Sequence, residues 1–477
     1  MTQCASYALE LFSNGGIRNH ILGANIKGGA IEMHYYNRSI ILRSSRIDFV
    51  NDYRRFLAIL HGLRSLSVQQ WGYQIDPRPF SPDNARNTLK GRKILLKNGI
   101  WLELLETVVQ QHRLIGRGTC VVKARVSEDP PVSPRGKKFP NAKTLEHWRG
   151  MPLVVKWTSP PKSRVPESDI LEQAYRVVRE NQADWVLDHL PNLLHYEDLD
   201  IPVSNSLQNL FNGFNDYEPR VLRLTVFEEL VPITGLHCTS DVVLAYEGIF
   251  NCEWRIVQCV GHDLILAEGY EWLHVSAKIQ HCDISLGNLM YRCKSGQVYG
   301  VLNDFDLAIL LDRTGGPSSK QRTGTKPFMA VDLLDESQVL QHCYRHDLES
   351  MFYAIYWHTR LHFHTDSTDN SKDKAMYRSW NEHSQQTLFM AKMVFLNSPC
   401  NTRPHRDAGG LILERFIFDM HNLFRTGLNA RIDYFSAMEA AKLRQNTPPV
   451  NNFDFLTLGG LVDFKSFKSI LHSSKST

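Results

Sequence analysis

Nothing in this sequence is apolar for the roughly 18 consecutive residues that cross a bilayer, so no membrane-spanning helix is expected. The start, "MTQCASYALELF", lacks a basic stretch followed by a long apolar core, and no secretion signal is expected there. Cysteine is sparse. The nine residues are scattered and odd in number, with no CxxC pair. That excludes a disulfide framework and a zinc knuckle, and it fits a reducing compartment, cytoplasm or nucleus. An excess of one charge is also missing: 54 basic residues face 50 acidic ones, for a net charge of +4. Such a balance gives no reason to expect nucleic-acid or membrane partners. Internal repeats are absent. What is present, 43% apolar and 22% charged residues, is the composition of a globular protein. At 477 residues the chain exceeds one ordinary domain.

Along the chain, residues 5–12 read as a short helix stopped by Gly15 and Gly16. Residues 30–45 read as two strands around a turn at Asn37, Arg38 and Ser39. Ser45 is placed as an N-cap with Asp48 at the third helical position, opening a helix with Phe49, Tyr53, Phe56 and Leu60 on one face. This first block, residues 1–110, carries no evident catalytic group and reads as a packed structural extension. "HRLIGRGTCVVKARV" is β-rich and interrupted by Gly116 and Gly118. Residues 127–150 are rich in proline and lysine, with a basic patch from Arg135 to Lys138, and read as a surface loop insertion. "MPLVVKWT" returns to strand, and Pro166 opens a helix with Ile170, Leu171, Ala174, Val177 and Val178 on one face. Residues 182–220 read as irregular, and residues 221–230 as a buried strand. From there the pattern is mainly helical, with stripes at Ile256, Val260, Leu264 and Ala267 and at Leu348, Phe352 and Ile355. The last ten residues look frayed.

The loop "HCDISLGNLMYR" sets Asp283 five positions before Asn288, spacing that suits two oxygen ligands held toward one point. One side chain could accept a proton and the other hold a metal ion. Phosphoryl transfer from a nucleotide needs those two and three further parts. A phosphate cradle could come from Gly116-Arg117-Gly118-Thr119, where glycines let backbone N–H groups approach phosphate oxygens. A third glycine is missing, with Val121 in its place. The cation could be Lys156, in the apolar run "LVVKW"; buried there, it needs a carboxylate. Glu167 at the start of the next helix is preferred, and Glu172 stays open. A magnesium carboxylate could be Asp304, after the apolar strand in "GVLNDFDLA". Each residue alone has a bland reading: hairpin glycines, surface charges, turn aspartates. Their order along one chain is harder to dismiss.

"IGRGT", "VVK", "ESDIL", "HCDISLGN" and "NDFDLA" resemble the glycine loop, phosphate lysine, helix glutamate, catalytic loop and magnesium motif of protein kinases. With "QCASYALELFSNGG", "YYNRS", "RTGTKPFMAVDLL" and "RHDLES", the chain resembles the fungal-type protein kinase family through most of its length. The resemblance implies an α+β, two-lobed protein-kinase-like fold, with a small β-rich N-lobe over residues 111–229 and a larger helical C-lobe over residues 230–477. Residues 1–110 would be an α/β extension particular to the family. It implies transfer of the γ-phosphate of ATP, with Mg2+, to serine or threonine of a protein substrate. Asp283 would be the catalytic base, and Asn288 and Asp304 the magnesium ligands. Lys156 would contact the α and β phosphates and pair with Glu167. Thr325 would bond near Asp283, and Asp347 would cap the loop backbone. Asp332 stands where the activation segment usually closes on a glutamate. A hinge near Phe227 to Leu230 would bond adenine through the backbone of Glu228 and Leu230.

Three departures bear on activity. Cys282 replaces the arginine that usually precedes the catalytic aspartate, so a switch by loop phosphorylation is not expected. Ser285 stands where a phosphate-contacting lysine is usual, and Asp306 where a glycine is. Two rival readings follow: a pseudokinase that binds nucleotide as a scaffold, and a small-molecule phosphotransferase of kinase-like fold. A zinc site among His342, Cys343, His346, His358 and His362 is a third, less favoured reading.

Overall fold

The computed structural model describes residues 2–14, 16–75, 89–129, 142–199, 205–215, 217–250, 269–312, 324–335, 341–363, 367–403, 407–444 and 453–474. The chain mixes helix and sheet and divides into two compact units. One comprises residues 1–168 and 192–229, the other residues 169–191 and 230–477.

In the first unit, α1 (Thr2–Asn14) precedes a small antiparallel sheet of β1 (His20–Lys27), β2 (Ala30–Asn37), β3 (Ile41–Arg43) and β4 (Ile47–Asp48). The expected turn is there: Asn37 Oδ1 accepts from the N–H groups of Ser39 and Ile40 at 2.8 and 2.7 Å, an Asx turn that reverses β2 into β3. The helix expected after Ser45 begins later. Residues 47–48 pair with β2 instead, and α2 (Tyr53–Arg64) starts at Asp52, whose side chain accepts from Arg55 N–H at 3.2 Å. None of its residues is buried, so the expected apolar face is largely open, with Tyr53 55% and Leu60 42% exposed.

A six-stranded antiparallel sheet follows, in the order β5-β6-β7-β8-β10-β9. Its strands are β5 (Lys93–Leu95), β6 (Trp101–Gln110), β7 (Cys120–Val126), β8 (Leu153–Thr158), β9 (Leu193–Leu199) and β10 (Leu222–Glu228). Residues on both sides of position 110 thus belong to one sheet. Alternate side chains, Leu102 and Leu104, Val122 and Ala124, Leu153 and Val155, Leu224 and Val226, build one core face. Each such burial contributes about 1.5–3 kcal/mol for the larger aliphatics.

The expected loop over residues 127–150 contains a helix, α3 (Ala142–Arg149), because Trp148 docks into that core at 3% exposure. The Arg135–Lys138 patch lies outside the described residues. Residues 182–220 are more regular than expected. They hold β9 at the edge of the sheet and α5 (Asn205–Asn212), and cross-strand pairing with β10 outweighs a weak local pattern. Between β8 and β9 in sequence runs α4 (Glu167–Asn181), which belongs to the second unit from residue 169 on, with Ile170, Leu171, Ala174 and Val178 buried.

The second unit is chiefly helical. It contains β11 (Val231–Pro232), α6 (Thr239–Phe250), α7 (Gly269–Val275), β12 (Ile279–Gln280), β13 (Leu289–Lys294), β14 (Gln297–Leu302), β15 (Ile309–Leu310) and α8 (Val331–Leu334). Then come α9 (Tyr344–His362), α10 (Ser367–Glu382), α11 (Gln385–Asn397), α12 (Ala408–Leu443) and α13 (Phe464–Ser473). The stripe at Leu348, Phe352 and Ile355 lies on α9, a helix buried along nearly its whole length. The stripe from Ile256 to Ala267 falls outside the described residues. The C-terminus is not frayed through residues 468–473. It is helical, capped by Asp463 and anchored by Phe467 against Phe250 at 4.6 Å. No helix among the described residues is long and apolar enough to cross a membrane.

Candidate active site

Lys156 sits on β8, the strand paired to β7 on one side and β10 on the other, opposite Val121 and Thr225. Alternation directs it away from the Val155–Trp157 face. It is 6% exposed, a place where an unpaired ammonium would be costly. Of the two candidate carboxylates, Glu167 meets it: Nζ to Oε2 is 2.8 Å, and Glu167 is 4% exposed. Glu172 is exposed on the other side of the helix turn. Glu167 also occupies the first residue of α4, where helix N–H groups favour a negative charge.

In the same unit, residues 111–119 join β6 to β7. Gly116 and Gly118 take φ of +111° and +55°, conformations that glycine adopts readily. The loop is closed on itself by Gln111 N–H to Thr119 O at 2.9 Å, and Arg117 O accepts from Ser159 N–H at 2.7 Å. Gly116 N–H donates to Arg38 O at 3.0 Å, so Gly116 supplies the turn. At the other end of this unit Glu228 closes β10, with its N–H donated to Asn192 O at 3.2 Å and its carboxylate accepting from Asn192 Nδ2 at 3.2 Å. Leu230 is the first residue of the following segment in the second unit.

The second unit carries Asp283 and Asn288 between β12 and β13, Asp304 after β14, Thr325 before α8 and Asp347 on α9. His281 is fully buried. Its Nδ1 accepts from Asp283 N–H at 3.4 Å, so Nε2 carries the proton and donates to Asn303 O at 3.0 Å. That bond ties the Asp283 loop to the residue preceding Asp304, and burial lowers the histidine pKa so that the neutral ring persists. Cys282 adopts φ +64° and is 3% exposed; its N–H donates to Asp347 Oδ2 at 3.1 Å. Asp283 Oδ1 accepts from Thr325 Oγ1 at 2.9 Å, and Asn288 Nδ2 donates to Asp283 O at 2.8 Å. With its nitrogen so engaged, Asn288 has its side-chain oxygen as the atom that could meet a cation. Asp304, half-buried and left-handed at φ +64°, holds Asp306 N–H at 3.4 Å through Oδ1. Carboxylate and amide oxygens are the donors magnesium prefers, so both residues suit that ion.

Asp347, at the start of α9, is fully buried. It accepts from Tyr270 Oη at 2.6 Å, from Cys282 N–H and from His342 Nε2 at 2.8 Å. Burial alone would raise its pKa, but the His342 and Tyr270 contacts outweigh it and the net shift is downward. The carboxylate thus stays ionised and fixes the backbone beside Asp283. Asp332 is clasped by Arg345 at 2.6 Å and by Arg431, all three buried.

The five residues of the zinc reading do not converge. His346 and His358 stand more than three turns apart on α9, and each is otherwise engaged: His346 Nδ1 caps Cys343 N–H at 3.0 Å, and His358 Nδ1 meets Tyr246 Oη at 2.8 Å. Among the described residues, ligand atoms of Cys282, His342 and Asp347 come within 4.8 Å of one another, although the Asp347 oxygens already hold three donors.

Sequence reasoning missed Tyr270 and Asn303, whose roles depend on contacts distant in sequence, and it named His342 only for zinc, not as the partner of Asp347. It also missed Lys392, fully buried on α11, which donates to Met329 O in the segment after Thr325, and Glu349, which accepts from Val331 N–H at 2.9 Å. A lysine inside the apolar run "FMAKMVF" was the available signal for the first.

No curated protein matches the chain. A family model described as fungal protein kinase matches residues 1–191 and 262–359, more than half of the sequence. The matched residues take in the extension, the glycine loop, Lys156, Glu167, the Asp283 loop, Asp304, Thr325 and Asp347. The chain belongs to the fungal protein kinase family, and its function is kinase-like.

Proposed function

We propose that the protein transfers the γ-phosphate of ATP, as its magnesium complex, to serine or threonine hydroxyls of protein substrates. The observation that carries this reading is the ordering of Asp283: Thr325 Oγ1 on its carboxylate at 2.9 Å and Asn288 Nδ2 on its carbonyl at 2.8 Å. In this reading the Asp283 carboxylate orients the substrate hydroxyl and accepts its proton. Thr325, in the segment that would receive the peptide, sets the angle of approach. Asn288 and Asp304 would hold magnesium, which when bound neutralises charge on the phosphate oxygens. Lys156, kept charged and extended by Glu167, would take the α and β phosphates, and Gly118 would line them. Backbone groups of Glu228 and Leu230 would meet adenine.

Such transfer relies on positioning and charge stabilisation, so loss of the orienting carboxylate is expected to cost at least about three orders of magnitude in rate. Asp283→Asn tests it in a labelled-ATP assay run with generic proteins and small alcohols side by side. Label on protein from the wild type, lost in the variant while nucleotide binding persists, supports the reading. Label on alcohols alone would replace it with a small-molecule phosphotransferase. A nucleotide-binding scaffold without transfer is the second reading. It is favoured by the engagement of Gly116 N–H with Arg38 and by Ser285 in place of the usual lysine. Magnesium-dependent ATP binding with no label on any acceptor would establish it.

A further inference from the structure

The turn between β2 and β3 lies against the glycine loop of the same unit. Arg38, at the tip of the Asx turn set by Asn37, accepts Gly116 N–H through its carbonyl at 3.0 Å. Its side chain is 7% exposed, and Nη1 donates to Arg113 O at 2.5 Å. The guanidinium stacks over the Phe12 ring of α1 at 4.1 Å. It also fills the space beside Gly118. A Cβ there would stand 2.3 Å from Arg38 Cζ and 2.6 Å from Nε, so residue 118 has no room for a side chain. Arg38 thus grips the loop at Arg113, Gly116 and Gly118. No carboxylate pairs with Arg38 among the described residues, and burial lowers its pKa to about 10. A buried cation without a carboxylate is not a feature that stability alone favours. Two other contacts join the N-terminal segment to the rest of this unit: Ser39 Oγ donates to Glu218 O at 2.7 Å, and Gln110 Nε2 to Phe12 O at 3.2 Å.

We propose that Arg38 is a positioning residue that holds the glycine loop in one conformation before nucleotide arrives, making the N-terminal extension part of the nucleotide-binding apparatus. A loop ordered in advance loses less conformational freedom on binding, and the gain appears as affinity. The nucleotide arm of this proposal rests on the phosphoryl-transfer reading; the loop-ordering arm does not.

The test uses the full chain. Arg38→Ala is expected to raise KM for ATP tenfold or more, with kcat changed less than about threefold, and to speed hydrogen exchange at the Gly116 amide without a matching change at β8. Gly118→Ala in the wild type should raise KM similarly, since its Cβ would strike the guanidinium. In the Arg38→Ala background the same substitution should add little. Should Arg38→Ala not fold, Asn37→Ala, which removes the two turn hydrogen bonds and the contact with Tyr35, gives the same two readouts. Unchanged KM with unchanged Gly116 exchange would overturn the proposal, as would full additivity of the two substitutions. If the wild type neither binds nor uses ATP, the kinase reading fails, and Gly116 exchange alone still decides whether Arg38 orders the loop.

Discussion

Each unit buries a lysine, and the two are accommodated in opposite ways. Lys156, in the sheet, faces a buried carboxylate at 2.8 Å. Lys392, in the helical unit, is fully buried with a backbone carbonyl for a partner and the rings of Tyr353 and Trp380 at 3.7 and 5.0 Å. An ion pair keeps an ammonium charged and lets it turn toward an anionic ligand. Burial without a paired carboxylate drives the pKa down, as it does well below the ordinary value for Lys392, leaving a group suited only to holding Met329 in place. Burial of a lysine is therefore no guide to function until its partner is known.

The strongest way to break this contrast is Lys156→Met. Transfer should fall by about two orders of magnitude or more, because a phosphate cation is lost. Stability should fall as well, since buried Glu167 loses the ammonium at 2.8 Å. The double variant Lys156→Met with Glu167→Leu should recover most of the stability in urea denaturation and none of the activity. Recovered activity would mean that Lys156 serves only the fold.

Asp332→Ala probes a buried pair in the helical unit with no proposed role in chemistry. It takes the shared buried carboxylate from Arg345 and Arg431, leaving them Phe455 O at 3.2 Å and Asp335 at 3.3 Å, and a loss of about 3 kcal/mol in denaturant unfolding is expected. An unchanged midpoint would show that the arginines find other acceptors.

Lys392→Met should have the smallest effect, because an amine held mainly by a carbonyl and two rings is replaced by an apolar chain of similar length. Its sign depends on pH. Native Lys392 has a depressed pKa, whereas the unfolded chain binds that proton up to about pH 10.4. Unfolding therefore takes up a proton between those two values, and wild-type stability gains on the variant as pH rises toward 10, by at most about 1.4 kcal/mol per pH unit. A stability difference independent of pH would mean that Lys392 stays charged in the folded protein.

Local pattern carried part of the site and not the rest. Asp283, Asn288 and Asp304 could be read because a short loop and a strand end fix their spacing within one stretch of chain. Lys156 and Glu167 could be read because a lysine in an apolar strand needs a carboxylate, and the helix after Pro166 offers one in its first turn. Ser45 was misplaced as a cap because Ile47 pairs with Ile31 across β2, a bond between residues that no local rule connects. The helix at residues 142–149 was hidden for a related reason: Trp148 sits in a polar context, and only the sheet core gives it a place to be buried. The hold of Arg38 on the glycine loop and of Lys392 on Met329 leave no periodic trace, since each joins segments distant in sequence.

The order of chemically suited residues along the chain, and the strands and helices that carry them, follow from the sequence alone, because side-chain type and short spacing decide both. Which carboxylate meets Lys156, which acceptor takes the Gly116 amide and which lysine has its pKa driven down were decided by tertiary packing. Desolvation and hydrogen-bond geometry act through three-dimensional neighbours, and those neighbours come from distant parts of the chain.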